Sequence, residues 1–218
     1  MTEEKDIQKT IQPKQELWQK MLRAARLLSI YTVIGVGILL LVKQLTNEPI
    51  QTAEKQVLLD TINQLLPSKQ YDNNLLKDTI EVTAPKYLHT RDPVTVYRAR
   101  NNGEPVALIL TTHAPDGYSG DIKIMLAVYE DGRIAGVRVL KHKETPGLGD
   151  KIELKKSNWI LGFDGLKLRD DNNALWSVRK DGGGFDQFTG ATITPRAVIK
   201  AVKNALMFIQ DKGAKLYE

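Results

Sequence analysis

The chain has 218 residues, a formal net charge of +5 and 42% hydrophobic residues, a composition typical of a folded protein. It contains no cysteine, which excludes disulfides, cysteine nucleophiles and iron–sulfur clusters built from this chain alone. A mean hydropathy of −0.30 with one long apolar run excludes a polytopic membrane protein, and the scattered basic residues argue against nucleic-acid binding.

The apolar run covers residues 27–42, LLSIYTVIGVGILLLV, and contains no charge. Extended through Lys43 to residue 45, it approaches the roughly 20 residues that cross a bilayer, so we predict a transmembrane helix over 27–45. A cleaved signal peptide is the alternative, but the 26-residue leader and the absence of a small-x-small site favour an uncleaved anchor.

Cations cluster on the N-terminal side of this run, whereas Lys43 is followed by no cation before Lys55. The positive-inside rule therefore predicts that residues 1–26 are cytoplasmic and that the C-terminal part lies on the other side, which in a bacterium is the periplasmic side of the inner membrane. The N-terminal cations are Lys5, Lys9, Lys14, Lys20, Arg23 and Arg26.

Residues 46–92 are predicted to hold a juxtamembrane helix and a linker. Val57, Leu58, Ile62, Leu65 and Leu66 recur at helical spacing before Pro67. We expect this apolar face to pack on its own domain, with a groove for a partner as the alternative.

The remaining chain, 93–212, predicts one domain of the α+β class, with a mixed or antiparallel sheet and flanking helices. Metal-ligand spacing is absent among the three histidines of the whole chain, His89, His113 and His142, so no metal site is expected. The predicted strands are 94–100, 106–112, 121–129, 134–142 and 175–180. The predicted helices are 151–163 and 195–210.

The stretch DGGGFDQFTGATITPRAV, residues 181–198, places small and hydroxyl residues just before the last helix. Thr194 is the expected N-cap and Pro195 the first helical residue. Free N–H groups at such an N-terminus suit a phosphate, although a simple capped turn is the alternative. The lysine spacing of a P-loop is missing, which disfavours nucleotide hydrolysis.

Residues 186–192, DQFTGAT, resemble the flavinylation motif Dxx(S/T)GAT. Together with APDGYSG (114–120) and ETPGLG (144–149), they make the chain similar to the G subunit family of the Rnf (Rsx) electron transport complex over about residues 20–210. The related C subunit family of the sodium-pumping NADH:quinone oxidoreductase shares both flavin motifs and is the alternative, but its chains are usually longer.

This resemblance implies that FMN is joined by a phosphodiester to the hydroxyl of Thr192. A Mg-dependent flavin transferase attaches it, with FAD as donor. The family's complex couples electron flow between ferredoxin and NAD to ion movement, or keeps a redox-sensing regulator reduced. This subunit would relay electrons between other subunits in the membrane, with no catalytic residue and no substrate of its own.

The resemblance also assigns the neighbouring residues. Gly190 and Ala191 keep the backbone close to the phosphate, and Thr189 and Thr194 donate hydrogen bonds to it. Asp186 either orients the segment for the transferase or activates the hydroxyl.

The ETPGLG segment is expected to form the other wall of the flavin site. Glu144 accepts from a ribityl hydroxyl or the ring N–H, or is a plain loop carboxylate. Thr145 and the backbone around Gly147 bind the isoalloxazine edge, and Leu148 contacts the ring. Lys151 approaches the phosphate or the N1 region, or is solvated.

Three aromatic residues have open or structural assignments. Tyr118 stacks on the flavin or belongs to the core, whereas Trp159 and Trp176 are expected in the core. Two further functions stay open: a noncatalytic anchored binding or assembly module, and a stand-alone flavin reductase.

Overall fold

The computed structural model describes the backbone of residues 3–217 and the side chains of residues 18–46, 52–213 and 215–217. The chain divides into two compact units, Met1–Val57 and Leu58–Glu218. The first helix, α1, spans Glu3–Leu65 and includes both the predicted anchor and the predicted juxtamembrane helix.

In the first unit, Trp18–Thr46 is a 29-residue stretch long and apolar enough to cross a membrane, and it includes the predicted span 27–45. Its side chains are all exposed in the isolated chain. The hydroxyls of Ser29 and Thr32 donate to carbonyls four residues earlier, each at 2.8 Å. Such internal bonds satisfy the polar groups of a helix in lipid.

The second unit is built on a five-stranded antiparallel sheet in the order β1-β2-β3-β4-β5. Four strands confirm the predicted ones, and the four-residue β1 lacked a sequence signal. Asn102 and Gly103, both with positive φ, form the tight turn between β2 and β3. The strands are β1 Thr79–Val82, β2 Val94–Asn101, β3 Glu104–Ala114, β4 Ile122–Tyr129 and β5 Ile134–Lys141.

Both faces of this sheet are covered, because successive strand residues point to opposite sides. Leu108 and Leu110 belong to the larger core, which includes the last helix, α3 (Ile193–Tyr217). Ala107 and Ile109 belong to a second core with Ile62, Leu65 and Leu66 from the end of α1. The expectation that the juxtamembrane face packs on its own domain is confirmed for these three residues.

The segments between β5 and α3 differ from the prediction. Residues 151–163 do not form one helix but two 3₁₀ turns, Gly149–Ile152 and Asn158–Phe163. The strand predicted over 175–180 is wrong: two further 3₁₀ turns, Asp170–Leu175 and Arg179–Asp181, flank a single bridge between Val178 and Phe185. The N–H groups of Gly182 and Gly183 donate to the carbonyls of Arg179 and Val178, both at 3.0 Å, so this segment forms turns instead of a longer ladder.

Two α-helices complete the second unit. The short α2, Pro85–Leu88, packs near α3. Helix α3 extends beyond the predicted range 195–210 at both ends, and its apolar face enters the larger core through Val198, Ile199 and Val202.

Candidate functional site

The three signature segments meet at one end of the sheet for a topological reason. Strands β3 and β5 both run antiparallel to β4, so the loops that follow them lie at the same end. The loop after β3 contains APDGYSG and the loop after β5 contains ETPGLG. The beginning of α3 reaches this end as well, since Lys200 Nζ lies 2.6 Å from Asp116 Oδ2.

The ETPGLG and DQFTGAT motifs each contain a β-turn. The carbonyl of Thr145 accepts hydrogen bonds from the N–H groups of Leu148 and Gly149, both at 3.1 Å, with Gly147 at φ +78°. The carbonyl of Phe188 accepts from Ala191 at 3.1 Å, with Gly190 at φ +80°. A positive φ at the third turn position favours glycine, which explains both motif glycines.

The two turns approach each other and form an open wall. A Cβ built on Gly190 would lie 3.6 Å from Leu148 Cδ2. Leu148 is 43% exposed, and Thr145, Gly147 and Thr189 are exposed as well. Tyr118 is 70% exposed, so it is not a core residue.

Thr192 stands at the N-terminus of α3, which begins at Ile193. Its carbonyl is reached by the N–H of Arg196 at 3.5 Å, the first bond of the helical ladder. Thr192, rather than the predicted Thr194, therefore occupies the N-cap position. Pro195 lies inside the first turn, where a missing N–H costs no helical bond.

The hydroxyl of Thr192 is available for chemistry. The residue is partly exposed, and no group in the described part of the chain hydrogen-bonds its side chain. The first four N–H groups of a helix lack partners within it and favour an anion. The geometry therefore offers a free hydroxyl at an anion-favouring position.

Glu144 connects the three segments. It is only 4% exposed, and its Oε1 accepts from the backbone N–H of Ser119 at 2.9 Å. Its Oε2 accepts from the Thr194 hydroxyl at 2.5 Å. The predicted contact of Glu144 with a flavin stays a prediction.

His142 holds the backbone beside Glu144. Its Nδ1 accepts from the Glu144 N–H at 3.0 Å, so the ring proton must be on Nε2, which lies 2.6 Å from Glu153 Oε1. This histidine just after β5 is a loop anchor.

Asp186, the first residue of the flavinylation-like motif, is exposed and pairs with Arg179 at 3.1 Å. Its carbonyl accepts from the indole Nε1 of Trp159 at 2.7 Å. Trp159 also meets Phe188 edge-on, with ring centroids 5.2 Å apart. The motif loop is thus anchored by an indole that sequence reasoning assigned only to the core, because no local pattern predicts a partner 27 residues away.

The aromatic core below the loop confirms the expectation for Trp176, which is 6% exposed, while Trp159 is partly buried against the same cluster. Phe163 and Phe185 lie between them, with centroids 4.4 Å apart.

Two ion pairs attach α3 to neighbouring loops. Arg196 binds both carboxylate oxygens of Asp181, at 2.6 and 2.7 Å. The hydrogen bond and charge of Lys200 hold the pKa of Asp116 below its usual value. Exposed pairs of this kind contribute little to stability.

Lys151 is partly exposed in the turn beside Asp150, whose buried Oδ1 has no partner in the described part of the chain. Among the described residues no group of three or more histidine and carboxylate side chains is placed to hold a metal.

Comparisons with known proteins find matches to both ends of the chain. The profile of the FMN-binding domain matches residues 117–207, and that of the RnfG N-terminal region matches residues 11–65. A Pseudomonas aeruginosa protein, described as the G subunit of an ion-translocating oxidoreductase complex, is 48% identical over 198 residues, covering 91% of this chain and 92% of the relative. Proteins of Vibrio cholerae and Pseudoalteromonas atlantica with the same description are each 47% identical over 191 residues, covering 88% of this chain and 91% and 89% of the relatives.

Proposed function

The chain belongs to the G subunit family of the ion-translocating oxidoreductase complex, and we propose that it carries FMN covalently on the Thr192 hydroxyl and relays electrons between other subunits. Family membership makes it a component of a larger redox complex with an FMN-binding domain, and its apolar N-terminal helix supports anchoring in a membrane. The covalent bond and the relay are the proposed parts.

The observation that carries the proposal is the position of Thr192. Its hydroxyl has no partner among the described residues, and it lies at the N-terminus of a 25-residue helix inside the matched FMN-binding domain. A phosphodiester there would meet the unpaired N–H groups and the positive end of the helix dipole. The residues present therefore fit the phosphate end of the cofactor.

The neighbouring residues would hold the rest of the group. Gly190 and Ala191 bring the turn backbone to the phosphate, and the exposed Thr189 hydroxyl supplies a donor. The ETPGLG side of the open wall presents polar and apolar groups, from Thr145, Gly147 and Leu148.

Lys151 and Tyr118 are proposed as outer contacts, an ammonium for the phosphate or N1 region and a ring for stacking. The exposed Asp186 supports a role in recognition by the flavin transferase, because its carboxylate is accessible from outside.

Attachment by a flavin transferase with FAD as donor forms a bond between Thr192 Oγ and the FMN phosphorus. The pyrophosphate bond of FAD breaks, AMP leaves and the hydroxyl proton is released. Bound FMN supplies electron transfer, whereas the protein supplies position and electrostatics. An open wall suits a carrier, since the cofactor can lie near a partner without depending on a deep pocket for retention.

We place the FMN-binding domain on the periplasmic side of the bacterial inner membrane. The cations Lys20, Arg23 and Arg26 before the apolar run 27–42, against Lys43 alone just after it, support this orientation. A C-terminal alkaline phosphatase fusion is expected to be active, whereas a C-terminal fluorescent protein that matures only in the cytosol should stay dark. The reverse pattern would contradict the orientation.

Peptide mass spectrometry of the full chain from cells that contain the flavin transferase tests the linkage. We expect the mass of one FMN less one water on Thr192, with the same bond absent in Thr192→Ala. Thr192→Ser is the matched control because it keeps a hydroxyl at the same position. If the added FMN mass maps to Thr189 or Thr194, the assignment to Thr192 is wrong. A colourless wild-type protein favours a binding or assembly module instead.

A further inference from the structure

The bond between Glu144 and Thr194 is enclosed by the protein. Glu144 is 4% exposed and Thr194 is 0% exposed, and their side-chain oxygens are 2.5 Å apart. The second carboxylate oxygen is occupied by Ser119 N–H. A flavin outside the wall therefore meets neither group unless these bonds break.

The packing around the pair is unusually close. A Cβ on Gly149 would lie 2.8 Å from Glu144 Oε2 and 3.0 Å from Thr194 Oγ1, and a Cβ on Gly117 would lie 3.0 Å from Glu144 Oε1 and collide with the carbonyl of Gly120. Glycines at these two positions give the carboxylate the room to sit between three backbone segments. The enclosure is thus built by the ETPGLG turn, the APDGYSG loop and the first turn of α3.

We propose that Glu144 and Thr194 are positioning residues, which fix the N-terminus of α3 against the ETPGLG turn and thereby place the Thr192 hydroxyl for flavin attachment. Thr194 lies two residues after Thr192 on the first turn of α3, so a bond that immobilises Thr194 also limits the movement of Thr192. Glu144 acts from the ETPGLG segment, which forms the other side of the open wall. This inference rests on Thr192 as the attachment residue.

A buried hydroxyl elsewhere provides the matched control. Thr112 is also 0% exposed, but its hydroxyl has no partner in the described part of the chain. Thr194→Val and Thr112→Val make the same chemical change in two buried threonines, and only the first removes a hydrogen bond.

The first measurement is the rate of flavin transfer to the full-length, flavin-free chain in detergent by purified transferase with FAD. We expect Thr194→Val to lower the rate about ten-fold, the effect of losing roughly one buried hydrogen bond from the reactive arrangement. Thr194→Ser should restore it, and Thr112→Val should match the wild type. Glu144→Gln should fall between, because the amide can still accept from Ser119 and donate to Thr194.

The transfer rate of a double mutant distinguishes positioning by the two residues from direct contact with the flavin. If both residues act through one bond, Glu144→Leu combined with Thr194→Val should slow transfer no more than the more harmful single change. Losses that multiply would mean independent contacts with the cofactor and would overturn the inference.

The second measurement does not depend on flavin. Amide hydrogen exchange on the full-length Thr192→Ala chain should be faster at residues 186–196 and 144–150 when Thr194→Val is added, and unchanged when Thr112→Val is added. If Thr194→Val leaves the exchange unchanged, the positioning role is wrong. It is also wrong if Thr194→Val speeds the exchange but leaves the rate of flavin transfer unchanged in the chain that keeps Thr192. If wild-type Thr192 accepts no flavin, the proposed function fails, and the exchange experiment still decides whether the pair fixes the helix.

Discussion

Two glycines in the ETPGLG turn should respond to alanine for different physical reasons. Gly147 has φ +78°, and a Cβ there would meet nothing within 4 Å. Gly149 has no positive φ, but its Cβ would lie 2.8 Å from Glu144 Oε2 and 2.9 Å from Glu144 Cβ. The first substitution therefore strains the backbone, and the second compresses a buried contact.

The expected magnitudes follow from these geometries. Gly147→Ala should lower the free energy of unfolding by about 1–2 kcal/mol, the cost of a left-handed conformation for a residue with a Cβ. Gly149→Ala should lower it by about 1–3 kcal/mol, the usual cost of overpacking. Glu144 cannot rotate its Cβ away, so the second loss is expected near the upper end.

Asparagine distinguishes the two mechanisms, because it tolerates the left-handed region but is larger than alanine. Gly147→Asn should be more stable than Gly147→Ala, whereas Gly149→Asn should be less stable than Gly149→Ala. Urea unfolding of the full chain in detergent, followed by tryptophan fluorescence, gives all four values. Recovery by asparagine at position 149, or wild-type stability of Gly149→Ala, would refute the packing argument.

Further changes test other parts of the domain. Trp159→Phe keeps an aromatic ring but removes the donor to the Asp186 carbonyl, so we expect a loss of about 1 kcal/mol in the same urea assay; wild-type stability of this variant would show that the bond is immaterial. Burial raises the pKa of Asp78, but the hydrogen bonds and charges of Arg98 and Arg100 outweigh this effect and hold the pKa below its usual value. The stabilisation by this carboxylate is therefore present above about pH 4 and is lost as the pH falls further, so wild type and Asp78→Asn should differ by about 1–3 kcal/mol at pH 7 and converge in acid; a constant difference from pH 7 to 2 would contradict this. Leu65→Ala should cost about 2–5 kcal/mol because Leu65 is 2% exposed in the second core; a smaller loss would show that the end of α1 contributes little there.

Local patterns predicted much of the chain. Apolar runs bounded by turn residues predicted β2 to β5, and the uncharged run predicted the apolar part of α1. The resemblance of DQFTGAT and ETPGLG to flavin motifs predicted the family that the comparisons confirm. The four-residue β1 and the 3₁₀ turns after β5 were missed, since such short segments carry too little periodicity to be recognised.

By itself the sequence determined the α+β class, the apolar N-terminal helix and the segments on which the flavin site is proposed, since each depends on neighbours along the chain. Only the tertiary structure decided that Glu144 is enclosed by Thr194 and Ser119, and that Trp159 supports the carbonyl of Asp186. These partners are 25 to 50 residues apart, and the antiparallel order of β3, β4 and β5 brings their loops to one end of the sheet. Contacts of this kind follow from how the strands and α3 pack, which no local spacing of residues specifies.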